Sequence, residues 1–113
     1  MNIVFSTSVL QKCANDRRYA IKKLGNEQAE KFFRRMQFLK TAITFEDLRY
    51  VPGNFHELNY KRKGQWAFDL DQPYRLILTP QTKPIAVDKD GKFLWKAIND
   101  VIIVEIINYH KER

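Results

Sequence analysis

The chain has 113 residues, of which 44% are hydrophobic and 29% charged, and this composition describes one globular domain around a single core. Its formal charge is +7, and the whole excess of basic residues lies in residues 1–63, which contain thirteen basic and six acidic residues. A basic half of this kind favours a polyanionic partner, either RNA or an acidic protein, because each neutralised phosphate releases condensed counterions.

Residue counts exclude several kinds of site. One cysteine, Cys13, excludes an internal disulfide, and two histidines, His56 and His110, are too few for a structural zinc site. No apolar stretch approaches the roughly 20 residues of a membrane-spanning helix, and the first residues lack the charged-then-apolar order of a signal peptide. We therefore expect a single domain over residues 1–113 in a reducing cytoplasm, with no membrane contact, metal or cofactor.

The N-terminal half is predicted as one strand followed by a helical hairpin. Residues Asn2–Ser6 form a short apolar run that suits a strand, and the hydroxyl residues after it can cap a helix. The first helix has a kink or break at Asn15-Asp16 and stops at Gly25, after which Asn26 can cap a second helix. An apolar stripe on the second helix predicts its core face. Its other faces are expected to carry the basic residues Lys31, Arg34, Arg35 and Lys40.

The C-terminal half changes to a hydrophobic period of two, which indicates β-strands. A short helical turn at Thr44–Leu48 precedes this change. The predicted strands are Phe55–Leu58, Gln65–Leu70, Tyr74–Thr79 and Val101–Ile107. The short connections between the first three imply antiparallel neighbours, and the nearly continuous apolarity of the last places it inside the sheet.

A loop, Pro80–Ile98, separates the last two predicted strands and contains a tight turn at Asp88–Gly91. Four apolar residues are expected to pack under this turn: Phe93, Leu94, Trp95 and Ile98. The complete order of elements predicts an α+β fold, in which a small antiparallel or mixed sheet packs against the N-terminal helical hairpin.

Polar residues that interrupt the strands are the candidates for chemistry. If the strands are neighbours, His56, Arg75 and His110 converge on one sheet face. Metal-independent RNA cleavage needs such a set, because one group takes the proton of the ribose 2′-hydroxyl, another protonates the leaving oxygen and a cation stabilises the phosphorane. Histidine suits either proton role, since its unperturbed pKa is near 6.5.

Each candidate also has a structural interpretation. Either histidine can be an ordinary surface residue, and Arg75 can pair with Glu105 or a neighbouring aspartate within the sheet. The basic run Lys61–Lys63, at the tip of a predicted hairpin, fits phosphate contact or a solvated turn. Trp66 fits base stacking or core packing. The residues alone leave these alternatives open.

Several short motifs occur in an informative order along nearly the whole chain. They are Lys23-Leu24-Gly25, Leu39-Lys40-Thr41-Ala42, Asp47-Leu48, Phe55-His56-Glu57-Leu58, Gly64-Gln65-Trp66, Tyr74-Arg75-Leu76-Ile77-Leu78 and the segment from Val104 to His110. This order resembles the HigB branch of the RelE/ParE toxin superfamily, whose compact α+β fold agrees with the predicted elements. The resemblance implies catalytic roles for His56, Arg75, Tyr109 and His110. The residues expected to bind RNA beside them are Lys61, Arg62, Lys63 and Trp66.

The resemblance implies the toxin of a type II toxin–antitoxin pair. Such a toxin is a ribosome-dependent, metal-independent endoribonuclease that cuts mRNA and inhibits translation in the bacterial cytoplasm. Its partners would be the ribosome, mRNA and a HigA-like helix-turn-helix antitoxin, and it would contact operator DNA only through that antitoxin.

Three positions depart from the family pattern. Asn59 and Asp69 stand where basic residues are usual, and Asn108 stands where an acidic residue is usual. Asp69 would repel a scissile phosphate, whereas Lys61 or Lys63 can supply a replacement charge from the hairpin. These departures motivate two alternatives, namely a ParE-like gyrase inhibitor that needs no catalytic residues and a non-catalytic toxin remnant that only binds its antitoxin.

Overall fold

The N-terminal part of the chain is mostly helical, and the C-terminal part is mostly β-strand. In a computed structural model that describes residues 1–112, the chain forms five strands, three α-helices and four short 3-10 turns. The helices and strands are β1 (Asn2–Phe5), α1 (Ser8–Asn15), α2 (Arg17–Leu24), α3 (Asn26–Thr41), β2 (His56–Glu57), β3 (Trp66–Asp69), β4 (Tyr74–Thr79) and β5 (Asp100–Asn108). None of the helices in this range has the length and apolarity needed to cross a membrane.

The predicted break at Asn15-Asp16 divides the first helix into α1 and α2. Asp16 has extended backbone (φ −140°), which ends α1, and its carboxylate accepts the N–H of Tyr19, which caps α2. Gly25 ends α2 with φ +86°, a conformation that glycine adopts without steric cost. Asn26 was predicted as a cap, but it is the first residue of α3, and Gly25 occupies the cap position without a side-chain bond.

The sheet is mixed and has the order β1-β5-β4-β3-β2. β1 runs parallel to β5, and the other neighbours are antiparallel. The last strand therefore lies inside the sheet, as its apolar sequence predicted, with β1 on one side and β4 on the other. This topology brings the residues that follow β5 beside the start of β4.

The helices pack on one face of the sheet and form an α+β layer with it. α3 contributes Phe32, Met36 and Leu39 to a core shared with sheet residues such as Trp66 and Phe68. Successive side chains of a strand point to opposite faces, so the register places another set of residues on the face away from the helices. We call this the outer face, and it includes His56, Ala67, Asp69, Arg75, Ile77, Glu105 and Ile107.

The loop between β4 and β5 packs across one end of the core. Its predicted tight turn is present, since the N–H of Gly91 donates to the carbonyl of Asp88 at 3.0 Å. Trp95 and Ile98 are buried, as expected, but Leu94 is 39% exposed and does not pack under the turn. The indole N–H of Trp95 donates to Glu57 Oε2 at 2.8 Å, which ties the loop to β2.

Candidate functional site

Arg75 is held in an ion pair across two strands. It lies directly opposite Asp69 in the antiparallel register, and its Nε is 3.2 Å from Asp69 Oδ1. Both side chains are largely buried, at 24% and 20% exposure. Opposite charges at such a cross-strand position stabilise the sheet. Of the two partners considered for Arg75, the neighbouring aspartate is therefore the one it contacts, and its charge is compensated on the outer face.

Tyr109 and His110 begin the 3-10 turn that follows β5, and they lie beside Arg75. The Tyr109 ring centroid is 4.0 Å from Arg75 Cζ, which is a cation–π contact. The Tyr109 hydroxyl donates to Gln72 Oε1 at 2.9 Å. The exposed His110 ring lies 4.5 Å from that of Tyr109, centroid to centroid. Three of the four predicted catalytic residues thus form one stacked cluster.

His56 lies on the same face but at the far edge of the sheet. It pairs with Ala67 in register, and three strand spacings, about 14 Å, separate β2 from β5. His56 Nδ1 is 2.6 Å from the carbonyl oxygen of Asn54. Because a carbonyl only accepts, this bond assigns the proton to Nδ1 and leaves Nε2 as the basic nitrogen. Asn54 also reaches Asp69 Oδ2 at 3.4 Å, which links the histidine to the ion pair.

The basic tip, which we define as Tyr60–Lys63, connects β2 to β3. Arg62 folds back over the outer face, where its Nη1 is 3.2 Å from Glu105 Oε2 and 2.8 Å from Gln65 Oε1. Lys61 and Lys63 remain exposed. RNA contact by Arg62, Lys61 and Lys63 stays a prediction. Arg62 also anchors the tip to the sheet, and the two lysines are the more exposed cations of the tip.

The prediction of RNA contact by Trp66 is wrong. Its side chain is fully buried and belongs to the core face of β3. The indole packs edge to face against Phe45 and Trp95, with centroid distances of 5.0 and 6.0 Å. No nucleic acid base can reach a ring in this position, so Trp66 stabilises the core.

A buried arginine supports Asp69 from the core side. Arg35 was predicted on a solvent face of its helix, but it is only 8% exposed and its Nε donates to the Asp69 carbonyl at 2.8 Å. Burial lowers the pKa of Arg35, and the nearby Asp69 charge opposes this. Its spacing of three residues from the buried Phe32 is the sequence signal that could have placed it inward.

Gly53 allows this approach of helix and strand. Its φ is +117°, and a Cβ added there would lie 2.6 Å from Arg35 Nε and 2.9 Å from the Phe68 ring. The carbonyl of Gly53 accepts the Asp69 N–H at 2.8 Å. The backbone of Asp69 is therefore fixed on two sides, and its carboxylate is fixed beside Arg75.

The outer face combines groups that can transfer protons with a cation and an aromatic ring. Among residues 1–112, no group of three or more His, Cys, Asp and Glu is arranged to hold a metal ion. The functional groups of the cluster itself are an imidazole, a guanidinium and a phenol. No family model matches the chain, and no curated protein matches it in sequence.

Proposed function

We propose that the chain is a type II toxin that cleaves mRNA on the ribosome without a metal. The observation that carries this proposal is the cluster of Arg75, Tyr109 and His110 at the end of β5, in which an exposed imidazole stacks on a tyrosine ring that contacts a guanidinium. Cations beside an exposed imidazole suit attack on a phosphodiester, because they stabilise the charge that develops on phosphorus-bound oxygens.

In this proposal, the ribose 2′-oxygen attacks phosphorus and the 5′-oxygen leaves, so that a 2′,3′-cyclic phosphate forms. His56 Nε2 and His110 share the proton transfers, one taking the 2′-hydroxyl proton and the other protonating the leaving oxygen. Arg75 and a lysine of the basic tip hold the phosphate, and Tyr109 positions or stacks on a base. His56 is level with Ile77 of β4, whereas His110 follows the end of β5, so both side chains have to extend toward the phosphate from strands about 14 Å apart.

The proposed partners follow from the distribution of charge. The segment that forms α1 and α2 contains five basic residues, Lys12, Arg17, Arg18, Lys22 and Lys23, and one acidic residue, Asp16. Such a surface steers acidic protein segments and ribosomal RNA toward it. We therefore propose the ribosome with its mRNA as target, and a HigA-like helix-turn-helix antitoxin bound on the helical hairpin, within the cytoplasm.

One observation favours a second candidate, a toxin remnant that binds its antitoxin but cleaves nothing. Arg75 already has a carboxylate partner at 3.2 Å, and a phosphate must compete with Asp69 for it. In this candidate the ion pair is structural, and the outer face has no substrate.

Expression in bacteria without the antitoxin separates the two candidates. We expect the wild-type chain to stop growth, and we expect His110→Ala and Arg75→Ala to restore it at equal protein levels on an immunoblot. Lys89→Ala, which removes an exposed charge in the loop between β4 and β5, is the matched control and should stay toxic. Equal toxicity of all four proteins would show that the cluster is not the active site, and growth of wild-type cells would favour the remnant.

A further inference from the structure

Tyr60 is the most exposed large apolar side chain among the described residues. It is 95% exposed, more than Tyr50 at 81%. Its backbone has φ +56°, in the left-handed region where a bulky side chain is rare. A tyrosine here neither buries its ring nor suits the backbone, so the stability of the fold gives no reason for it. Unfavourable backbone conformations of this kind are concentrated at binding sites.

The tip that carries Tyr60 is held rigidly by the sheet. The N–H of Lys63 donates to the Tyr60 carbonyl at 3.1 Å, and that of Arg62 donates to Asn59 at the same distance. Arg62 is bound to Glu105 of β5, and Thr79 of β4 donates to the Gly64 carbonyl at 2.8 Å. The ring therefore projects into solvent from a rigid turn, and little backbone entropy would be lost when a ligand binds to it.

The charge around Tyr60 is positive. Lys61 and Lys63 follow it in the same turn as exposed cations, and residues 59–65 contain no acidic residue. An exposed aromatic ring in the same turn as two cations matches single-stranded nucleic acid, because the ring stacks on a base while the cations contact neighbouring phosphates. The bases of a duplex are stacked on each other and offer no free face to such a ring. An acidic peptide supplies carboxylates for the lysines but no planar group that stacks on the tyrosine.

We infer that Tyr60 is a stacking platform for one unpaired base of RNA, with Lys61 and Lys63 on neighbouring phosphates. This inference rests on the proposed function only in taking RNA as the ligand. It assigns to the basic tip the stacking role that the buried Trp66 does not have, and it places single-stranded RNA at the edge of the outer face.

Fluorescence anisotropy with a labelled, unstructured oligoribonucleotide tests the inference. The full chain carries His110→Ala in every sample, so that the probe is not cut. We expect Tyr60→Ala to weaken binding by about 5-fold to 100-fold, and Tyr60→Phe to retain it. Tyr50→Ala is the matched control, because Tyr50 is also exposed but its neighbour Arg49 is paired with Glu46. We expect this control to bind within about twofold of the parent, since it removes no stacked base.

A second variant separates binding from folding. Asparagine tolerates the left-handed region better than tyrosine, so Tyr60→Asn should leave the melting temperature unchanged or raise it while weakening RNA binding. If Tyr60→Ala and Tyr50→Ala bind the probe equally, the inference is wrong, and the proposed function stands if wild-type cells still stop growing. If Tyr60 is required for binding but the wild-type chain does not arrest growth, the RNA site stands and the proposed toxin function is wrong.

Discussion

At the scale of single residues, the proposed RNA cleavage would depend on the competition between Asp69 and a substrate phosphate for Arg75. The guanidinium lies between the Asp69 carboxylate and the Tyr109 ring, at 3.2 and 4.0 Å. This arrangement fixes the direction of the cation, but it also compensates the charge that a phosphate would use. Asp69 therefore orients Arg75 and at the same time lowers its availability.

Replacement of Asp69 by its neutral isostere should strengthen RNA binding. Asp69→Asn keeps the shape of the side chain and removes the competing charge, so one further phosphate contact becomes available to Arg75. We expect the slope of log affinity against log salt to steepen by about 0.7, the value for one neutralised phosphate on a single strand. Titration of the His110→Ala chain with an oligoribonucleotide at several salt concentrations measures this slope.

Asp71→Asn is the control for this change. Asp71 pairs with Lys31 of α3 at 3.3 Å. Asp71→Asn therefore removes one negative charge, as Asp69→Asn does, but from a carboxylate that is paired with a lysine instead of Arg75. If both variants change the salt dependence equally, the effect is one of net charge, and Arg75 does not bind phosphate.

The sequence predicted part of the cluster, and particular residues explain the rest. His56, Arg75 and His110 were predicted to converge on one face if the strands are neighbours, and Tyr109 was added only by the family resemblance. Trp66 and Phe68, two residues apart, share the opposite face, and this spacing already favoured core packing for Trp66. Tyr60 was not identified, because its exposure results from a positive φ that no sequence pattern specifies.

At the scale of elements, single polar residues decide where helices end and turns form. Asp16 separates α1 from α2. Asp47 caps the start of the 3-10 turn Phe45–Tyr50, whose Phe45 and Leu48 are fully buried. The backbone N–H groups of Ile43 and Thr44 donate to the Asp47 carboxylate at 2.8 and 3.2 Å. These bonds hold the pKa of Asp47 below its usual value.

The Asp47 cap should make stability depend on pH. Because the folded state favours the ionised carboxylate, its contribution is present above the unfolded pKa, near 4, and is lost as the pH falls through the lower folded value. We expect Asp47→Asn to lower the urea midpoint at neutral pH and to match the wild-type chain in strong acid. Asp90→Asn, an exposed carboxylate in the Asp88–Gly91 turn, is the control. A deficit of Asp47→Asn that stays constant down to acid pH would contradict a cap that depends on charge.

At the scale of the whole molecule, the fold separates two surfaces on opposite faces of the sheet. The helices cover one face of the sheet and carry most of the positive charge, whereas the outer face presents the cluster and the basic tip. Composition and periodicity predicted the α+β class, and the structure confirms it. The parallel pairing of β1 with β5 was not predicted, since it joins the two ends of the chain and leaves no local signal.

The central claim is that the outer face cleaves mRNA, and primer extension on messages from cells that express the wild-type chain tests it most directly. We expect discrete in-frame cuts within translated regions, and we expect these cuts to be absent when His110→Ala is expressed at the same level. Intact messages accompanied by induced DNA damage would contradict the claim and would support a gyrase inhibitor instead.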